Sequence, residues 1–397
     1  MKASKLLLAG ALALAMGTLA EAQTIIHFTG STAYRAATHD AITNSLQSGF
    51  TFAFYGSSDP AGASQVIYTG TAITNGAPVI IKTSWSGSVG GVQTVSQQLP
   101  ISTWLVSTTP QGGAPGGAAV SSPTYDSPTV PDVCMSDVFQ TSTPFPTPAL
   151  KDNIVGVVPF KFVASTGAPA SLTNITPHLA QNLFKGGVTP LALFDGNPND
   201  ESDFYVFATG RDPDSGTRMT AFAESGVGVF TIVKQYQPVI TGQGANGYGG
   251  TIQRLDPVYG ATNLWPVDVV NGITYPVGDA GYSSGGSLSK AMSANSTGFC
   301  LLSYLGLNDA ANALANGAHE LSWNGFYYST NGVQEGQYTF WGYEHLMYRS
   351  SFTAPALTVV TDIKNRIYST FAPISGINVN AMNVSRPTDG GAISTLY

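Results

Sequence analysis

The sequence predicts an exported α/β protein that is long enough to form two domains. Short apolar runs, such as residues 24–29, 78–84 and 204–209, alternate with segments whose apolar residues have helical spacing. This alternation is typical of α/β architecture with largely parallel sheets. A chain of 397 residues suggests two domains of ordinary size.

The first 22 residues have the pattern of a secretory signal peptide. Lys2 and Lys5 form a short positive region, residues 6–20 are apolar and small, and residues 20–22 match a small-x-small cleavage site. The apolar run is too short to predict a membrane span, and no cysteine follows it that would carry a lipid anchor. We therefore expect residues 1–22 to be removed and the mature chain to be periplasmic or secreted.

The composition narrows the class of partner. Only 10% of the residues are charged and the net charge is -7, which argues against a nucleic acid as the partner. A small anion stays possible, because it needs only a local ring of hydrogen-bond donors. The apolar content of 43% is too high for a disordered chain. We expect a monomer that holds no cofactor.

The predicted elements follow one another along the chain. Apolar runs and alternation predict strands at 24–29, 51–55, 65–72, 78–84, 154–163, 204–209 and 299–305. Helical spacing and capping residues predict helices at 36–46, 92–99, 177–184, 218–224, 287–293 and within 354–371. Residues 107–131 are crowded with Pro, Gly, Ser and Thr and predict a long irregular excursion.

Small-residue loops lie between predicted strands and helices at residues 30–32, 84–91 and 214–217. A helix N-terminus carries unpaired N–H groups and the positive end of the helix dipole. Small residues let an anion approach those groups, and Ser and Thr add hydroxyl donors. Arg211 precedes the third loop, and its permanently charged guanidinium group is able to donate two hydrogen bonds to one anion. Each loop alone is also explained by ordinary helix capping.

The combination of loops resembles a known family, the phosphate-binding proteins of ABC phosphate transporters, which have the type 2 periplasmic binding fold. The matching segments, in order, are Gly30-Ser31-Thr32, Gly87-Ser88-Val89-Gly90-Gly91, Ser136-Asp137, and Arg211 with Ser215-Gly216-Thr217. Residues 50–83, 92–133 and 240–280 depart from the family by carrying extra strand and loop. The resemblance therefore implies a two-lobed α/β fold with β-rich insertions.

The resemblance also implies a binding site and a partner. It assigns phosphate, or a similar small oxyanion, as the ligand, and a membrane component of an ABC transporter as the protein partner. Asp137 would accept the proton of a protonated phosphate, which fully ionised sulfate lacks. Arg211 would pair with the charge of the ligand. The donors to its oxygens would come from Ser31, Thr32, Ala33, Ser88, Ser215, Gly216 and Thr217.

We predict the lobe boundaries from the same order of segments. Residues 24–155 with 325–397 would form the first lobe, and residues 156–324 the second. The chain would cross between the lobes near 155–160 and 305–325.

Two alternative functions stay open at this point. Residues 281–285 fit the Gly-x-Ser-x-Gly pattern of a serine hydrolase, which requires a strand before the motif and a helix after it. The long Pro/Gly/Thr-rich excursions instead favour a secreted structural or surface protein on the same scaffold. The histidines lack a His-Glu-x-x-His motif, and the acids at 195–203 lack EF-hand spacing, so we expect no metal site.

The two cysteines are far apart in the sequence. Export permits a disulfide between Cys134 and Cys300, and two buried free thiols are the alternative. Two lone cysteines give no metal-binding spacing.

Overall fold

The computed structural model describes residues 23–200, 203–253, 263–270 and 272–396. The predicted signal peptide, residues 1–22, lies outside the described residues. Within these ranges, every helix is too short or too polar to cross a membrane.

The strands within the described ranges are numbered in chain order. They are β1 Thr24–Gly30, β2 Thr51–Tyr55, β3 Gln65–Thr71, β4 Pro78–Ser84, β5 Gly112–Gly113, β6 Ala118–Ala119, β7 Val133–Ser136, β8 Lys151–Ala164, β9 Asn174–Ile175, β10 Val188–Pro190, β11 Tyr205–Ala208, β12 Ile240–Thr241, β13 Thr251–Ile252, β14 Asp268–Val270, β15 Ile273–Tyr275, β16 Phe299–Gly306, β17 His319–Trp323, β18 Trp341–Tyr348, β19 Val384–Ser385 and β20 Ser394–Thr395.

The α-helices are numbered in the same way. They are α1 Arg35–Asn44, α2 Ser88–Ser96, α3 Pro177–Gly186, α4 Ala192–Asp195, α5 Gly216–Glu224, α6 Gly285–Met292, α7 Leu307–Ala315, α8 Thr330–Gln334, α9 Ala356–Arg366 and α10 Ala372–Ser375. A π-helical segment, Ile367–Phe371, joins α9 to α10.

The main sheet has the strand order β10-β11-β16-β8-β18-β7-β1-β4-β3-β2-β5. Strand β1 lies between β4 and β7 and runs parallel to both, and β11 runs parallel to β16. The mixed α/β class is therefore confirmed. The expectation of largely parallel sheets is wrong, because β2, β3 and β4 form an antiparallel meander and β18 pairs antiparallel with β7 and β8.

Strand β8 joins two groups of strands. Its residues 151–159 pair with β18, and its residues 160–164 pair with β16 and, in part, with β17. We call β1 to β7 with β18 the first strand group, and β9 to β11 with β16 and β17 the second strand group. The lobe boundaries at residues 155 and 325 stay predictions.

Backbone geometry explains where two helices begin. Helix α2 begins at Ser88, four residues earlier than expected, because Gly87 has a φ of 98° that turns the chain into the helix. Helix α3 is capped by Thr176, whose Oγ1 accepts a hydrogen bond from the Leu179 N–H.

Cys134 lies on β7 and Cys300 on β16, and both are buried free thiols. The alternative of two free thiols is therefore confirmed, and the disulfide is not formed. Burial raises the pKa of both thiols, which keeps them protonated and unreactive.

Candidate functional site

Four of the residues predicted from sequence meet around one buried carboxyl group. Ser88 Oγ donates a hydrogen bond to Asp137 Oδ1 at 2.5 Å, and Thr217 Oγ1 donates to Asp137 Oδ2 at 3.4 Å. A Cβ atom on Gly216 would lie only 1.5 Å from Asp137 Oδ1, so the carboxyl group rests against the backbone of that glycine. We call Ser88, Asp137, Gly216 and Thr217 the Asp137 cluster.

The Asp137 cluster forms from residues that follow the carboxyl ends of three strands of the main sheet. Asp137 follows β7, Ser88 begins the helix after β4, and Gly216 begins the helix after β11. Open α/β sheets bind ligands in the crevice outside these strand ends. The cluster therefore lies where the topology of an α/β protein places a binding site.

A backbone contact holds the two loops of the cluster together. The Val89 N–H donates to the Asp214 carbonyl at 2.9 Å. A Cβ atom on Gly87 would lie 2.5 Å from that same carbonyl oxygen, so only glycine permits the approach. Ser215 caps α5, because its Oγ accepts a hydrogen bond from the Arg218 N–H at 3.2 Å.

A second buried acid lies close to the Asp137 cluster. Glu344, on β18, is completely buried, and Ser31 Oγ donates to its Oε2 at 3.2 Å. Burial raises the pKa of Glu344 well above its usual value, and the nearby charge of Asp137 raises it further. Ser31 therefore contacts this carboxyl group, and its own N–H donates to the Met135 carbonyl.

Burial raises the pKa of Asp137 from its ordinary value of 3.8 to about 6. The hydrogen bond from Ser88 and the charge of Arg211 oppose this shift, and Asp389 adds to it. The carboxyl group is thus able to hold a proton near neutral pH, which suits it to share a proton with a bound anion.

We expect the free energy of unfolding to fall as the pH rises from about 4 to about 6 through the titration of Asp137. In this window the folded protein keeps a proton on Asp137 that the unfolded chain has released. The shift in the pKa of Asp137 corresponds to about 2–3 kcal/mol of the free energy of unfolding.

Urea unfolding of the parent and of Asp137→Asn between pH 4 and pH 7.5 measures this loss of stability. The two stability curves should meet near pH 4, and the parent should lose stability relative to the variant between about pH 4 and pH 6, after which the difference should stay constant. Parallel curves of stability against pH for the parent and Asp137→Asn would contradict the raised pKa of Asp137.

Arg211 is buried but directs its guanidinium at the main chain. Nε donates to the Tyr282 carbonyl at 3.0 Å, and Nη2 donates to the Ser283 carbonyl at 3.1 Å. The positive charge of Arg211 lowers the pKa of both Asp137 and Asp309. The guanidinium group is therefore close enough to act on both carboxyl groups. The structure thus gives Arg211 a positioning contact with the loop before α6 that the sequence did not predict.

A large cleft lies at the carboxyl end of β1 and has a volume of about 930 Å³. Thr32 and Ala33, which follow β1, line it together with Trp85, which follows β4. Residues before and within α6 and α7 line the opposite wall. The cleft is therefore bounded by both strand groups.

The cleft contains balanced charges. Arg35 and Lys290 line it together with Asp59 and Asp309. Burial raises the pKa of Asp309, while the Arg35 and Arg211 guanidinium groups lower it. A Cβ atom on Gly285 would lie 1.9 Å from Asp309 Oδ2, so this carboxyl group lies at the N-terminus of α6.

Seven of the nine predicted site residues thus occupy three places, while Arg211 contacts the loop before α6 and Ser215 caps α5. Ser88, Asp137, Gly216 and Thr217 meet directly, Ser31 contacts Glu344, and Thr32 and Ala33 line the cleft. Sequence reasoning missed Glu344, Trp85, Arg35 and Lys290. Glu344 is an acid within the apolar and aromatic run 340–348, and this pattern could have indicated a buried functional acid. Trp85 is a large aromatic residue in a loop of small residues, which could have indicated a ligand contact.

The serine hydrolase motif does not have the surroundings that it needs. Ser283 precedes α6, but the nearest earlier strand is β15, which ends at Tyr275 and belongs to a separate two-stranded hairpin. A nucleophile elbow requires a strand that leads straight into the motif. In the described part of the chain, no cluster of three or more His, Cys, Asp or Glu side chains is placed to hold a metal.

The fold is similar to that of phosphate-binding proteins whose structures are known. An ABC-type phosphate transport receptor from Vibrio cholerae is 10% identical, with a TM-score of 0.48 over 89% of this chain and 99% of that protein. PstS from Borrelia burgdorferi is 12% identical, with a TM-score of 0.41 over 90% and 98%. A phosphate-binding protein from Stenotrophomonas maltophilia is 12% identical, with a TM-score of 0.38 over 86% and 83%. No protein-family model and no curated protein matches the sequence.

Proposed function

We propose that this protein is an exported solute-binding protein that captures phosphate, or a similar small oxyanion, between its two strand groups. The observation that carries the proposal is the Asp137 cluster, in which donors on α2 and α5 converge on one buried carboxyl group. Donors that already hold a carboxylate oxygen at a helix N-terminus are able to hold a phosphate oxygen in the same way.

The proposed binding step rearranges the hydrogen bonds of Asp137. A protonated phosphate donates its P–O–H to the Asp137 carboxylate, and its other oxygens accept hydrogen bonds from Ser88 and Thr217. Sulfate at the same pH has no proton to donate, so its oxygens face the carboxylate and are repelled. Arg211 supplies the positive charge that balances the buried anion.

The proposed site closes because its donors come from both strand groups. Ser88 and Asp137 belong to the first strand group, whereas Thr217 follows β11 of the second strand group. An anion held by one side gains further partners when the other side arrives, so binding favours the closed arrangement. Delivery of the ligand to the membrane component of an ABC transporter is the biological role we propose for this closure.

Calorimetric titration with phosphate, arsenate and sulfate at about pH 7 tests the proposal. We expect the parent to bind phosphate and arsenate more tightly than sulfate. Thr217→Val should weaken phosphate binding at least tenfold, because a hydrogen bond to a charged group contributes about 1.5–3 kcal/mol. Asp137→Asn should reduce the discrimination against sulfate more than it reduces phosphate affinity.

A matched control separates these effects from general damage. Thr361 lies on α9 and donates its hydroxyl to the Leu357 carbonyl, away from the Asp137 cluster. Thr361→Val should therefore bind phosphate as the parent does. Failure of the parent to bind any of the three oxyanions at millimolar concentration would overturn the proposed function.

A further inference from the structure

We propose that the ligand is a phosphorylated sugar, with its phosphate at the Asp137 cluster and its hydroxyl-bearing ring in the adjoining cleft. The phosphate part of this inference rests on the proposed function. The sugar part rests on the size, the lining and the charge of the cleft.

The size of the cleft exceeds what an inorganic oxyanion needs. Its volume of about 930 Å³ lies within the range of about 300–1,000 Å³ that is usual for sites of small organic molecules. A free phosphate held at the Asp137 cluster would leave this volume to solvent. An organic body attached to the phosphate would fill it.

The cleft has one aromatic side chain on each wall. Trp85 comes from the loop after β4 and packs its partly buried ring against the main core. Tyr248 lies on the opposite wall, with the Lys290 Nζ 6.0 Å from its ring centroid. Aromatic side chains combine a large apolar face with a polar edge, which suits a ring that carries both C–H and O–H groups.

The polar lining suits hydroxyl groups better than further anions. The two cations Arg35 and Lys290 are matched by the two acids Asp59 and Asp309. A ligand hydroxyl both donates and accepts hydrogen bonds, so it is able to use carboxylates and cations together. A second phosphate group would meet the two acids without a surplus of positive charge, which argues against a polyphosphate.

None of the four residues of the Asp137 cluster lines the cleft, but two lining residues are next to, or bonded to, groups that act on Asp137. Ser283 lines the cleft, and its carbonyl accepts the hydrogen bond from Arg211 Nη2. Thr32 also lines the cleft and follows Ser31, which contacts Glu344 beside Asp137. These two links are the basis on which we assign the ring of the same ligand to the cleft.

Titration of the mature protein with inorganic phosphate, glucose 6-phosphate, ribose 5-phosphate, glycerol 3-phosphate and glucose tests the inference. We expect at least one sugar phosphate to bind ten times more tightly than inorganic phosphate, and glucose to bind far more weakly. Trp85→Ala and Lys290→Met should remove that advantage while they leave the affinity for inorganic phosphate unchanged. Thr217→Val should weaken both ligands.

The variants have built-in controls. Lys290 is exposed on α6, so Lys290→Met keeps the test valid if Trp85→Ala unfolds. Phe326 is an exposed aromatic residue outside the cleft lining, and Phe326→Ala should keep the full advantage of the sugar phosphate.

The outcomes distinguish the two proposals. Binding of inorganic phosphate with no gain for any of the three esters overturns the sugar phosphate and leaves the proposed function standing. Binding of neither phosphate nor ester overturns the proposed function. Binding of glucose as tightly as glucose 6-phosphate would show a sugar site that makes no use of the phosphate, and would overturn the inference.

Discussion

Replacement of Arg218 by methionine is expected to lower the free energy of unfolding by about 3–5 kcal/mol. Arg218 and Asp279 form an ion pair at 2.5 Å, with side chains only 5% and 7% exposed. Arg218 Nη1 also donates to the carbonyls of Asp279 and Arg211. Removal of the cation leaves the Asp279 carboxylate buried, with the Val233 N–H still donating to its Oδ1.

Urea unfolding at about pH 7 measures the loss. The double variant Arg218→Met/Asp279→Leu should recover much of the stability, because it removes both buried charges. A loss below about 1 kcal/mol in the single variant would contradict the burial of the pair. Since Arg218 holds the carbonyl of Arg211, we also expect the single variant to bind phosphate more weakly.

Replacement of Gly30 by alanine is expected to cost about 3 kcal/mol or more of the free energy of unfolding. Gly30 ends β1 with a φ of 107°, a region that costs a residue with a side chain about 1–3 kcal/mol. Its Cβ would also lie 2.0 Å from the Met135 carbonyl oxygen, which already accepts the Ser31 N–H. Backbone strain and a steric clash therefore act together.

Gly49→Ala provides the matched control for Gly30→Ala. Gly49 also has a positive φ, 92°, but nothing lies within 4 Å of the Cβ that alanine would add. Gly49→Ala should therefore show the backbone cost alone. Chemical denaturation of both variants measures the difference, and equal losses would show that the contact with β7 relaxes without cost.

The strands of the first strand group were predictable because their patterns are local. Residues 24–29, 51–55 and 78–84 alternate or run apolar, and the structure places strands at those positions. The start of α2 was not predictable from the same rules. Residues 87–91 contain three glycines and predict a loop, yet Ser88 to Gly91 form the first turn of a buried helix. Tertiary packing overrides the weak helix propensity of glycine here.

The order of the candidate site residues was predictable, whereas their partners were not. The resemblance to phosphate-binding proteins implied that Asp137 and Arg211 belong to one site. It gave no sign that Ser88 and Thr217 donate to Asp137, or that Arg211 donates to the carbonyls of the loop before α6. These contacts join residues that are far apart in sequence, so only the folded chain defines them.

The cleft was missed for the same reason. Trp85 and Lys290 lie on opposite walls and are separated by about half of the chain. Neither residue belongs to a motif. A cavity between two strand groups depends on how the groups are placed, and local patterns do not contain that information.

The position of β18 has a consequence for the order in which the chain acquires structure. β18 lies between β7 and β8, although its residues come about two hundred positions after theirs. Until the chain has been synthesised as far as residue 348, β7 and β8 lack the strand that pairs with both of them. During that time β7 has an unpaired hydrogen-bonding edge. Pairing over so long a sequence separation is slow. The main sheet of this topology is therefore completed only when nearly the whole chain is present.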